Sequence, residues 1–192
     1  MPNTIRYRQD GTIDLVDETI AEPKAGELQV WGGVCGICSW DIATARLGEE
    51  MQPPAPAGHE GMGYVAKVGA DVSGFKEGDR VAGGGFSRLR NMPAATVARI
   101  PACDIPDEYW MVEPVSCAIT GLDHCRIQPG HRVALIGCGF MGLLILQGLL
   151  THPLGDLVVL DINAKRLELA RRLGANDTYN VHDEEIDALS GE

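Results

Sequence analysis

The run Val133-Ala-Leu-Ile-Gly-Cys-Gly-Phe-Met-Gly142 constrains this chain more than any other stretch. It joins an apolar strand, residues 132–136, to a helix start through glycines at 137, 139 and 142. Gly137 permits a tight turn off the strand, Gly139 lets backbone approach a pyrophosphate, and Gly142 lets the helix pack close to the sheet. The helix opens at Phe140 and Met141, where unpaired N–H groups and the positive dipole end favour phosphate. Asp161 closes a second apolar run, residues 157–160, and is placed to accept hydrogen bonds from the adenosine ribose hydroxyls. Its charge opposes a 2′-phosphate, so NAD is expected over NADP, although Lys165 and Arg166 nearby soften that preference. A lone G-x-G-x-x-G is a weak signal, but the strand before it, the apolar helix at 140–150 and the second buried strand raise it to a dinucleotide-binding fingerprint. Cys138 within the loop reads as a small buried residue facing the cofactor.

A chain of 192 residues, 45% of them hydrophobic, has room for one large or two small domains with a real core. The net charge of −11 argues against nucleic acid or an anionic membrane as partner and leaves a small molecule as the fitting one. No basic-plus-apolar leader precedes the first strand-like run, and the apolar helix is too short to span a bilayer, so a cytoplasmic protein is expected. The 6 cysteines are unevenly spaced, which suits thiols or metal ligands better than a disulfide frame.

From Ile5 to Arg99 short strand-like runs, among them residues 28–34 and 63–68, alternate with glycine and proline punctuation. The punctuation includes Pro23-Lys-Ala-Gly26, the stiff run at 53–58 and Glu77-Gly-Asp-Arg80. This predicts a small all-β unit without a long amphipathic helix. Residues 106–126 change character, with small residues at 116–118 and Ile119 and Leu122 three apart, and predict a connecting helix. From His131 onward the order is strand, helix, strand, helix, strand. Asn163 caps the second helix, Leu167, Ala170 and Leu173 line one face, Gly174 follows its end, and residues 178–181 form the third strand. The acidic run Asp183-Glu-Glu185 reads as a solvated face. The boundaries that follow are 1–125 and 126–192. Three strands of a six-stranded dinucleotide fold supply the adenosine half of its site; the reading is therefore of a C-terminally truncated chain, expected to show little activity alone and to gain it when extended.

A second cluster lies upstream. Cys35-x-x-Cys38 by itself could be half a zinc knuckle or a redox pair, and a lone His59 is more often structural than a ligand. With Asp41, with Gly58-His59-Glu60, with Glu113-Pro114 and with the dinucleotide fingerprint downstream, the cluster becomes a mixed sulfur, nitrogen and carboxylate set of the kind that holds Zn²⁺ and leaves one position open, while Cys35 reads as a small buried residue beside the ligand strand.

These residues together resemble the zinc-dependent medium-chain dehydrogenase/reductases, the alcohol and polyol dehydrogenase family, with similarity running through essentially the whole chain. The Gly58-His59-Glu60 signature, the turn from Gly78 to Val81 and the glycine-rich fingerprint carry the resemblance. It implies a GroES-like β domain followed by the first half of a Rossmann domain. Carried over position by position, it makes Cys38 and His59 metal ligands and Glu60 the neighbouring carboxylate that approaches the metal. Asp41 becomes the carboxylate that orients the histidine, with Glu60 and Asp41 serving catalysis, and Glu113 becomes the third ligand. Glutamate rather than cysteine at 113 points to the sorbitol- and threonine-dehydrogenase branch. The implied reaction is hydride transfer between a secondary alcohol or polyol and NAD, or the reverse carbonyl reduction, in a full-length homo-oligomer holding one catalytic Zn²⁺. A second, structural zinc is not implied, because Ala82-Gly-Gly-Gly-Phe86 runs on without a four-cysteine lobe. The sequence departs from the family at Trp40 and Ala43, where proton-relay residues are usual; Trp40 reads equally as a pocket wall or a packed aromatic.

Two rivals stand beside this reading. A zinc-free quinone or enoyl reductase on the same fold has no need of the Cys, His and Glu set, and bound zinc separates the two. The other is a non-catalytic nucleotide or metal binder, which turnover by the purified chain would exclude.

Overall fold

The computed structural model describes residues 4–8, 10–47 and 57–182. The chain divides into two compact units, Met1–Glu113 and Pro114–Glu192. Residues 53–56 of the proline run and the acidic run at 183–185 lie outside the described residues.

The first unit opens with an antiparallel hairpin, β1 (Thr4–Tyr7) and β2 (Ile13–Val16), in which Tyr7 faces Ile13. The main sheet contains β3 (Glu27–Gly36), β4 (Glu60–Val68), β5 (Arg80–Ala82), β6 (Leu89–Pro93) and β7 (Ala98–Arg99). They lie antiparallel in the order β6-β3-β4-β5-β7. Leu28, Val30, Val65, Val81 and Val97 are buried together as the core of this sheet. Gln29 is buried between them without penalty, because its amide donates to Ala21 O and to Asn91 Oδ1. Two register shifts in the β3–β4 ladder, at Gln29/Val30 and Gly32/Val34, bend the long strand and bring Gly36 opposite Glu60.

The unit is not all-β. Helix α1 (Ser39–Leu47) follows β3, and its buried residues are Asp41 and Thr44, while Trp40, Ile42 and Leu47 are exposed. A helix that buries polar positions and exposes apolar ones carries no amphipathic stripe, which is why periodicity passes over it. The expected connecting helix is also shorter than residues 106–126. Asp107–Tyr109 form one 3₁₀ turn, and the α-helix proper, α2, runs Val112–Cys125 with Pro114 in its first turn. The reason lies in long-range contacts: the Asp107 carboxylate accepts from Tyr64 Oη at 2.5 Å and from Arg80 Nη2 at 2.6 Å, which pins this segment to the β unit. Arg126, with φ of 49°, closes the helix.

The second unit is a three-stranded parallel sheet in the order β10-β9-β8, with β8 (Arg132–Ile136), β9 (Asp156–Asp161) and β10 (Asp177–Asn180). Helices α3 (Phe140–Leu149) and α4 (Ala164–Leu173) form the crossovers, giving the β-α-β-α-β order of a Rossmann half. Cys138, Leu146, Leu149, Leu157, Val159, Leu167 and Ala170 pack into one core with Leu122 of α2. Asn163 caps α4 by accepting from the N–H groups of Lys165 and Arg166, and Gly174, with φ of 125°, ends it. The apolar helix α3 is not buried all round: Phe140 and Met141 are exposed, because the described sheet offers it one face.

Candidate functional site

Cys38 occupies the N-cap of α1. Its carbonyl accepts from the N–H of Asp41 at 3.0 Å and of Ile42 at 3.3 Å. Its own N–H donates back to Asp41 Oδ2 at 2.8 Å, the reciprocal contact of a capping box. The helix start therefore fixes the cysteine backbone. Asp41 is only 4% exposed, and its second oxygen, Oδ1, faces His59 Nδ1 at 3.9 Å and accepts the Tyr7 hydroxyl at 3.4 Å. His59 is exposed and the next residue, Glu60, is buried at the start of β4.

Ligand atoms of Cys38, His59 and Glu60 all lie within 4.8 Å of one another. A tetrahedral zinc with bonds of 2.0–2.3 Å sets neighbouring ligand atoms about 3.3–3.8 Å apart, so the trio fits such an ion after a small contraction. Space for the carboxylate is built into the backbone: a Cβ on Gly36 would stand 2.2 Å from Glu60 Oε2 and 3.1 Å from Met111 Sδ. A close approach here requires glycine. Among the described residues this trio is the one group of three or more such side chains placed to hold a metal ion, and Glu113, in the first turn of α2, stands outside it. Cys35 is half-buried and also outside the trio; burial first, and then the negative Asp41, pushes its thiol up to about 11, which suits a packed thiol rather than a ligand thiolate. Trp40, on the first turn of α1, is 49% exposed and so is not a packed core aromatic in this unit.

The second cluster forms around the glycine-rich turn. Gly137, with φ of 87°, turns the chain off β8 and donates to Leu160 O at 2.7 Å. A Cβ on Gly142 would lie 2.0 Å from Gly137 O, so the first turn of α3 is pressed against the loop. Gly139 is the N-cap of α3 and offers no side-chain cap, so no side chain at the cap competes for the N–H groups of the first turn at Phe140 and Met141. A Cβ on Gly139 would meet nothing nearer than the Arg166 guanidinium at 3.7 Å.

Asp161 is tied into this turn. Its Oδ2 accepts from Cys138 N at 2.7 Å and its Oδ1 from Asn163 N at 2.8 Å, and it is 7% exposed. Burial alone raises such a carboxyl, but the N–H donors of Cys138 and Asn163, with the Cys138 thiol and Arg166, outweigh it and hold the pKa below the ordinary value. Cys138 is fully buried, and burial followed by the Asp161 charge pushes its thiol up to about 11. The sequence assigns Asp161 to a ribose; in the structure its carboxylate fastens the glycine-rich turn to the end of β9. Tyr7 and Gly36 were not singled out from the sequence. Gly36 carried a signal in its adjacency to the cysteine pair, and Tyr7, far upstream, carried none.

A β unit with a sulfur, nitrogen and carboxylate cluster, followed by a parallel unit with a glycine-rich turn, defines the two-domain architecture of the nicotinamide-linked dehydrogenases. Residues 24–102 match the alcohol dehydrogenase GroES-like domain. S-(hydroxymethyl)glutathione dehydrogenase of Escherichia coli O1:K1 is 29% identical over an alignment covering 89% of this chain and 61% of that protein. The structure of galactitol-1-phosphate dehydrogenase from Escherichia coli superposes with a TM-score of 0.82 at 23% identity, covering 97% of this chain and 63% of the other. That of Escherichia coli quinone oxidoreductase complexed with NADPH gives 0.78 at 24% identity, covering 96% and 59%. Residues 24–102 thus carry an alcohol dehydrogenase GroES-like domain, and the chain shares the fold of the medium-chain dehydrogenase/reductases, a GroES-like domain followed by the first half of a Rossmann domain. It spans 61% of the length of the curated relative.

Proposed function

We propose that this chain carries the metal and adenosine sites of a zinc-dependent oxidoreductase that transfers hydride between a secondary alcohol or polyol and NAD. The observation that carries the reading is the convergence of Cys38, His59 and Glu60 within 4.8 Å. A zinc ion there supplies Lewis-acid polarisation of the substrate oxygen. Cys38 and His59 hold it, with Glu60 or Glu113 as the carboxylate ligand, and Asp41 orients the imidazole through Nδ1. Trp40 offers an apolar wall beside Cys38. The N–H groups at Phe140 and Met141 hold the pyrophosphate, and Gly139 keeps the approach free of a side chain. Asp161 faces the adenosine ribose and opposes a 2′-phosphate, which favours NAD. A polyol substrate agrees with the galactitol-1-phosphate dehydrogenase likeness, and the carboxylate ligand set supports it over the zinc-free quinone reductases of the same fold.

Metal analysis tests the reading. One zinc per chain is expected, lost in Cys38→Ser and His59→Ala. Two zincs in the parent overturn the count; unchanged zinc in both variants overturns the site. Calorimetry with ADP-ribose and its 2′-phosphorylated form tests the cofactor, and tighter binding of the phosphorylated ligand overturns the choice of NAD.

A further inference from the structure

We propose that Tyr7 is a positioning residue of the metal site, acting through Asp41 on His59; the inference rests on the zinc reading above. Asp41 is a buried carboxylate with two separate tasks. One oxygen is held by the Cys38 N–H at 2.8 Å, and the other faces His59 Nδ1 at 3.9 Å. The terminal torsion of an aspartate is soft, so one hydrogen bond does not fix the carboxylate plane. The Tyr7 hydroxyl, 3.4 Å from Oδ1, supplies a donor on the oxygen that the histidine needs.

Tyr7 is itself held firmly. It ends β1, and the turn that follows is closed by Asp10 Oδ1, which accepts from Thr12 N at 2.9 Å and Thr12 Oγ1 at 2.6 Å. The turn rests on α1, since a Cβ on Gly11 would stand 3.3 Å from Ala45 O. The other end of the hairpin donates from Ile5 N to Phe86 O at 3.0 Å, and Phe86 N donates to Ala57 O at 2.8 Å, two residues before His59. The hairpin thus touches the helix that carries Asp41 and is joined through Phe86 to the segment that leads to His59. Burial first, and then the Asp41 charge, pushes the Tyr7 phenol up to about 12, so it stays a donor throughout the neutral range. In this arrangement the N-terminal hairpin belongs to the metal site, although it contributes no ligand.

The test is Co²⁺ binding by the 192-residue chain, followed by its visible absorption and by competition with a chelator. Tyr7→Phe keeps the ring and removes the hydroxyl. It is expected to weaken Co²⁺ affinity about 2- to 10-fold, the size of one net hydrogen bond, and to shift the d–d bands. The same change made in Asp41→Asn is expected to have no further effect, because the residue through which Tyr7 acts is already altered. If Asp41→Asn binds cobalt too weakly to titrate, zinc under chelator competition gives the same cycle. Equal affinity of Tyr7→Phe and parent overturns the inference, as does an equal loss in both backgrounds, which would mark a general effect on folding. A parent chain that takes up no metal overturns the zinc reading itself, so the two failures are told apart.

Discussion

Asp41 Oδ2 accepts the backbone N–H of Cys38 at 2.8 Å, so the contact that caps α1 also sets the backbone of the proposed ligand cysteine. Asp41→Ala removes a buried charged acceptor and is expected to lower stability by about 1–3 kcal/mol. It should also weaken zinc binding about 10- to 100-fold, as loss of a carboxylate behind a ligand histidine does. Urea titration and zinc competition on one preparation check both, and a change in stability without a change in zinc affinity would confine Asp41 to the helix cap.

Gly36→Ala should reduce zinc uptake, because the new Cβ would stand 2.2 Å from Glu60 Oε2 and displace the carboxylate. Gly121→Ala is the control. It lies in the interior of α2 with nothing within 4 Å of the added methyl and should stabilise by about 0.5–1 kcal/mol. Equal zinc content in parent and Gly36→Ala would show that Glu60 does not need its present position.

The fingerprint glycines divide into two kinds. Gly142→Ala puts a Cβ 2.0 Å from Gly137 O and should destabilise the turn and abolish ADP-ribose binding together. Gly139→Ala meets only a flexible guanidinium at 3.7 Å, so its melting temperature should stay at the parent value while ADP-ribose affinity falls. Full affinity in Gly139→Ala would mean that no phosphate approaches the backbone there.

The Asp161 carboxyl is held below its ordinary value by backbone donors despite burial. A folded pKa below the unfolded one, near 3.9, stabilises the fold at pH values above 3.9. That stability is lost as pH falls through the folded value. The gap in urea midpoint between the parent and Asp161→Asn should therefore be constant above about pH 5 and narrow below about pH 4. A gap that persists undiminished to pH 3 would show that charge on Asp161 does not stabilise the turn.

The second unit was readable in advance because its determinants are local. The strand of residues 132–136, the glycine turn, the Asn163 cap and the Gly174 stop act over a few residues, and hydrophobic periodicity reports them directly. The start of α2 was not readable. Pro106 and the residues after it look like a helix start until Tyr64 and Arg80, from distant strands, capture Asp107 and hold the segment in a 3₁₀ turn.

Residue chemistry along the chain determined the kinds of group available: cysteine, histidine and carboxylates upstream, a phosphate-binding turn downstream, and an acidic residue closing the second strand. Tertiary structure decided which of them meet. It placed Glu60 with Cys38 and His59 through the β3–β4 register and the missing side chain at Gly36, and left Cys35 and Glu113 outside the trio. It formed α1 by a backbone-to-carboxylate contact around buried polar residues, for which hydropathy has no pattern. It also brought Tyr7 to Asp41 across a separation of 34 residues, because hydrogen bonds and metal ligation act over a few ångströms of space and are indifferent to distance along the chain.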